Sequence, residues 1–158
     1  MVARRKWLIL RWGWTVLLLT APAMASTPSK TQAEVRYLIH KCAEAYARKD
    51  VAFLMSVCAP DPDVLAIGTA EDEKWIGPDT IRTAYEKFFA QVESVSVLYS
   101  DILVKSRGDV AWVYAEGHVS LKTDRGEFTR KSRLTSVLEK RKGKWLFVQT
   151  HASFPVPD

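Results

Sequence analysis

The stretch Lys131-Ser-Arg-Leu-Thr-Ser-Val-Leu-Glu-Lys-Arg-Lys-Gly-Lys-Trp-Leu-Phe-Val-Gln-Thr-His-Ala-Ser-Phe-Pro155 decides the fold. It reads as two amphipathic strands meeting at a tight turn, with apolar and polar residues alternating on both sides of Arg141-Lys142-Gly143. Glycine reaches the left-handed backbone region without steric cost, so the preferred reading is a three-residue loop with Gly143 in that conformation. That register sets Arg133 opposite His151, Thr135 opposite Gln149, Val137 opposite Phe147 and Glu139 opposite Trp145. A two-residue turn ranks second, because it puts the long side chain of Lys142 at positive φ.

Upstream, three more long strands are expected at about 95–105, 110–123 and 127–140, divided by Arg107-Gly108-Asp109 and Asp124-Arg125-Gly126. Helices come first. Thr31 and Glu34 form a capping-box pattern, and Val35, Leu38, Ile39, Cys42, Ala45 and Tyr46 recur at helical spacing up to Lys49. Asp50 caps a short second helix through Val57, which Ala59-Pro60-Asp61-Pro62 ends. A short strand at Val64 to Ile67 and a return at Trp75-Ile76 follow, and Pro78 opens a third helix carrying Ile81, Tyr85, Phe88, Phe89 and Val92. The fold class is therefore α+β: three N-terminal helices packed on a strongly curved, mostly antiparallel sheet.

Residues 1–25 read as a signal peptide: Arg4, Arg5 and Lys6, an apolar run from Trp12 to Leu19, and Ala23-Met24-Ala25 before cleavage at Ser26. The run is too short for a stable membrane anchor. The product would be periplasmic or secreted, with residues 26–158 as one domain. Cleavage removes four of the 23 basic residues and no acid, leaving 19 against 18 acidic, a net charge of +1. That balance removes the main compositional argument for a nucleic-acid partner, and the remaining basic cluster from Arg130 to Lys144 reads as a solvated strand end and turn, so nucleic acid is not an expected partner. Cys42 and Cys58 flank the break at Lys49-Asp50 symmetrically, and in an oxidising compartment they are a disulfide candidate, with two separate thiols as the other reading. Neither they nor the three histidines stand at metal-ligand spacing, so no metal or cofactor is expected.

Asp61-Pro62-Asp63-Val64, Trp75 with Gly77 and Ile81, Gly108-Asp109-Val110-Ala111, Arg133 with Thr135 and Val137, and Gly143-Lys144-Trp145 through His151-Ala152-Ser153 together resemble the SnoaL-like branch of the nuclear transport factor two-like superfamily. The ending is also similar to the association domain of calcium/calmodulin-dependent kinase II, although Ala152 stands where that domain has an arginine. The resemblance implies a cone with an internal pocket for a small organic molecule between sheet and helices, and a homodimer through the outer sheet face. Steroid isomerases of the superfamily carry a carboxylate just after the first strand. No carboxylate stands near Ile67 and Gly68 here, so that mechanism is not supported. Asp61 and Asp63 read as turn caps.

Arg133 and His151 offer a fixed cation and an imidazole, with Thr135, Gln149 and Ser153 on the same face. Such a cluster suits an anionic ligand, or equally a polar patch in a dimer interface. Ala111, Val113 and Ala115 read as packing on the helices, which turns Trp112, Tyr114, Glu116 and His118 away from them. Tyr46, Trp75, Tyr85 and Phe89 are the aromatics expected to line a pocket. Catalytic candidates are His151, Arg133 and Glu116. Three functions remain open: binding of a small, anionic or other organic ligand; an isomerase, lyase or hydrolase using His151; and an oligomerisation module without a ligand.

Overall fold

The computed structural model describes residues 29–156. The signal-peptide reading falls on residues outside these. The order is α1 (Lys30–Ala47), α2 (Val51–Ser56), β1 (Leu65–Ile67), β2 (Lys74–Ile76), α3 (Pro78–Gln91), β3 (Ser94–Arg107), β4 (Val110–Thr123), β5 (Gly126–Arg141) and β6 (Lys144–Ser153). The strands form one sheet in the order β2-β1-β6-β5-β4-β3, with only β1 and β6 parallel. This is the expected α+β plan, with a curved sheet whose concave side carries the helices.

Local chemistry explains where each helix starts. The N-cap of α1 is Ser29, not Thr31: its hydroxyl accepts from the Gln32 amide at 3.2 Å, while the Gln32 side chain accepts from the Ser29 amide at 2.9 Å. The earlier start frees Glu34 for the sheet. Its carboxylate accepts from Lys140 Nζ at 2.8 Å and from Trp145 Nε1 at 3.0 Å, and Gln32 Nε2 donates to the Val104 carbonyl at 3.0 Å. Asp50 caps α2 through the Phe53 amide at 2.9 Å, and Gly77 with Pro78 opens α3. Lys49, at φ 56°, sends its ammonium to the carbonyls of Phe89 and Val92, where the C-terminus of α3 leaves acceptors unsatisfied.

The β5–β6 turn differs from the preferred reading. Arg141 pairs with Lys144, so the loop has two residues, with Lys142 at φ 50° and Gly143 at φ 80°. Positive φ at both positions is the type I′ geometry, whose twist matches that of the strands; the strain at Lys142 is the smaller term. A bulge between Val137 and Leu138 then moves the pairing by one more residue, setting Thr135 opposite His151 and Arg133 opposite Ser153. Bulges bend the strand that carries them, and a second one lies between Tyr99 and Asp101 of β3. There Gly117 permits a close approach: a Cβ on it would sit 2.0 Å from the Leu98 carbonyl oxygen.

Three apolar clusters join helices to sheet. Val35 and Ile39 of α1 pack on Ile102, Val104, Ala111, Val113, Ala115, Leu138 and Trp145, so the small face of β4 meets the helices as the alternation implies. Ala45, Leu54, Phe89, Val92 and Val95 form a second cluster, and Ala59, Val64 and Ile81 a third.

Candidate functional site

Inside the cone, helices and sheet bring together three phenols and two thiols. Tyr46 and Cys42 come from α1, Cys58 from the segment after α2, Tyr85 from α3 and Tyr99 from β3. The rings of Tyr46 and Tyr85 meet edge to face at 5.7 Å, and Phe89 touches both, edge to face with Tyr46 at 5.5 Å and stacked on Tyr85 at 6.1 Å. Desolvation pushes the Tyr85 phenol and the Cys42 thiol each up to about 12, and raises Tyr46, Tyr99 and Cys58 as well. All five residues are nevertheless only half-buried. These side chains pack against one another in the space between the helices and the sheet.

Across from them the concave side of the sheet adds Ser136, 3% exposed, whose hydroxyl lies 3.4 Å from that of Thr150. Among the described residues no buried side-chain nitrogen or oxygen lacks a partner. The groups gathered here are therefore hydroxyls and thiols, uncharged at neutral pH, beside aromatic and aliphatic walls. They can donate and accept hydrogen bonds and surround a ring, and none of them is a carboxylate or an imidazole. Cys42 and Cys58 are free. The disulfide candidate is thus not formed: Cys42 packs with the cluster around Ala45 and Phe89, whereas Cys58 packs with that around Ala59 and Ile81 and points its thiol at the Ala59 carbonyl. No three of His, Cys, Asp and Glu among the described residues are grouped to hold a metal ion.

The sequence-derived candidates divide between two faces. Tyr46, Tyr85 and Phe89 are inside, and Trp75 packs on the inner side in the cluster around Ala59, Val64 and Ile81. Arg133, Thr135, His151 and Ser153 lie on the convex face, because they alternate with the inward-facing Leu134 and Ser136 and pair with one another across β5 and β6. They do not line the interior. Glu116 stands on the same outer face, accepting from the Tyr114 hydroxyl at 2.9 Å and pairing with Lys131 at 2.9 Å and Arg133 at 3.7 Å. Lys131 and then Tyr114 hold its carboxyl below the usual carboxylate range, so it is an ionised acceptor rather than an acid. Asp61 is no turn cap: both of its oxygens receive Arg141, at 2.9 and 2.6 Å, and Arg141 also reaches Glu139 at 2.6 Å. This pair borders a cavity of about 350 Å³ on the outer side, shared with Asp63, Val137 and Gln149.

Tyr99, Ser136 and Thr150 are the interior residues that the sequence reading passed over. Tyr99 follows Val95 and Val97 in inward alternation, a signal that was present; Ser136 and Thr150 look like any polar strand residue until the bulge sets them opposite each other.

The cone, the sheet order and the helix-covered interior define the class: an α+β cone of the nuclear transport factor two-like kind. The chain belongs to the SnoaL-like domain family, whose model matches residues 35–157. Among solved structures, a provisionally assigned dehydratase of the nuclear transport factor two-like family from Streptomyces avermitilis superposes with a TM-score of 0.75 at 19% identity, over 83% of this chain and 100% of that one. A provisionally assigned calcium/calmodulin-dependent protein kinase II association domain from Xanthomonas campestris gives 0.69 at 24%, over 79% and 88%. A provisionally assigned scytalone dehydratase from Novosphingobium aromaticivorans gives 0.72 at 12%, over 80% and 85%. At these identities the likeness is one of fold. No curated protein sequence matches the chain.

Proposed function

We propose that this protein binds a small ring-bearing organic molecule in the interior between helices and sheet, with the part held there uncharged. The observation that carries this reading is the set of Tyr46, Tyr85 and Tyr99, desolvated but still accessible, beside Phe89 and the Ser136–Thr150 hydroxyls. An anion would find no cation among these groups, and burying it unpaired costs several kcal/mol. The outer position of His151, Arg133 and Glu116 weighs against their acting on a molecule bound inside. The dehydratase assignments of two similar structures concern those proteins; for this chain, proton transfer would need an interior group that titrates near neutral pH.

Export through residues 1–25 and pairing of two copies through the convex face belong to the same proposal. Support for the pairing comes from Leu98, Leu103 and Trp112, which are 71%, 55% and 48% exposed on that face. Native mass spectrometry of the protein purified from its own host, before and after denaturation, tests all of this together. The expected result is a dimer of chains starting at Ser26, carrying a small mass that denaturation releases. A bare assembly larger than a dimer would favour the oligomerisation reading instead. Tyr85→Ala should lose the bound mass while Arg133→Ala keeps it; the reverse pattern would move the site to the outer face.

A further inference from the structure

The concave face of β5 does not end at the interior. Inward-facing Ser136, Leu134 and Ser132 continue toward the strand's start as Arg130 and Phe128, where exposure rises and no helix cluster covers the strand. Arg130 pairs directly with Val119, which packs on the same cluster as Tyr46, Tyr85 and Phe89. It therefore stands at the rim of the interior, next to its aromatic wall.

Two rings hold it there. The Arg130 guanidinium carbon lies 5.5 Å from the centre of Phe128 on β5 and 5.8 Å from that of Phe154, just past β6. Cation–ring contacts use the charge of the guanidinium and do not consume its N–H donors. The neighbouring cations are spoken for, since Lys131 and Arg133 both turn to Glu116 on the other face. Among the described residues Arg130 has no ion pair and no side-chain hydrogen bond. A guanidinium set between two rings with its donors unused, at the edge of an uncharged interior, suits a carboxylate entering from outside.

We propose that Arg130 recognises the carboxylate of an amphipathic ligand whose apolar, ring-bearing end lies among Tyr46, Tyr85 and Phe89. The inference rests on the interior-binding reading and names the ligand class: a monocarboxylic acid with its charge at one end. Arg130 pairs with Val119 at the edge of the ring cluster and is not among the rings, so the acid group is set off from the ring by a short chain.

Calorimetric titration of the intact protein with phenylalkanoates of increasing chain length, and with the matching primary amides, tests this. At one preferred length the acid should bind about tenfold tighter than its amide, the factor expected for a charge-assisted contact. Arg130→Gln should remove that preference and leave amide binding unchanged, while Arg130→Lys keeps part of it. Rising salt should weaken the acid and not the amide, a readout on the unmodified protein that does not depend on the variants folding. Equal binding of acid and amide, or equal loss of both in Arg130→Gln, overturns the role of Arg130 and leaves the interior site standing. Failure of every acid and every amide to bind removes the interior site, and this inference with it.

Discussion

Gly117→Ala should be among the most damaging single-methyl additions in the protein. The added carbon would lie 2.0 Å from the Leu98 carbonyl oxygen and 2.7 Å from the Tyr99 Cα, both backbone atoms that no rotamer change can move. A carbon needs about 3.3 Å from a carbonyl oxygen, so β3 and β4 must part by more than 1 Å at the bulge. That displacement takes adjacent ladder bonds from about 2.9 Å to beyond hydrogen-bond range. Losing two such bonds costs about 2 kcal/mol, and the local overpacking adds about 1–3 kcal/mol. The expected destabilisation is about 3–5 kcal/mol, a large share of the roughly 5–15 kcal/mol that holds a domain together. Urea unfolding followed through the buried Trp145 should show the midpoint falling by about 1.5–2.5 M at an unchanged slope near 2 kcal/mol/M. Gly143→Ala is the control: nothing lies within 4 Å of its added carbon, and only the φ of 80° opposes it, at about 1–2 kcal/mol. A Gly117→Ala shift no larger than that of Gly143→Ala would refute the reasoning. Because Tyr99 leaves the same bulge toward the interior, ligand affinity should fall along with stability.

Lys142→Asn should raise stability by about 0.5–1 kcal/mol, since asparagine tolerates the φ of 50° better than lysine; a lower melting midpoint would contradict the type I′ turn. Stability should fall on the acid side. Asp61, through Arg141, and Glu34, through Lys140 and Trp145, have carboxyls held below their ordinary values, so their contributions are complete above the unfolded range near about 4 and are lost as pH drops through the depressed values. Asp61→Asn should flatten that acid limb when unfolding is followed from neutral to low pH, and an unchanged limb would deny the pair any role. Both cysteines should be alkylated by iodoacetamide in urea and only slowly in the native protein at pH 8, because burial raises both thiols, Cys42 to about 12. An intact mass two hydrogens short of the free dithiol would disprove this.

The helices and strands were legible because their signals are local: the spacing of Val35, Ile39 and Tyr46, the Gly77-Pro78 start of α3, and the glycine turns between long strands. The β5–β6 pairing was not, because two one-residue effects add together. The turn is one residue shorter than the preferred reading, and the bulge near Val137 moves the partner by another. Their sum is a shift of two residues, a full pleat period, which changes partners but not faces. Arg133, Thr135 and His151 therefore keep company on one face, as the sequence implies, although His151 now faces Thr135. Which side that face takes could have been read from β4. Ala115 pairs with Leu134 and Glu116 with Arg133, so once the small residues of β4 are set against the helices, Arg133 must point away from them.

That parity argument has a chemical consequence. Glu116, Lys131, Arg133 and His151 fall on the convex side, while the enclosed side receives serine, threonine, tyrosine and cysteine, with Lys140 there held by Glu34. A phenol raised to about 12, such as Tyr85, remains a hydrogen-bond donor at every physiological pH and cannot act as a base there. The interior can thus orient a carbonyl or hydroxyl and surround a ring without exchanging protons with either. Recognition of neutral shape inside and of charge at the rim, through Arg130, follows from the same alternation, since every second residue of β5 faces inward and the one inward cation beyond the helices stands at the opening.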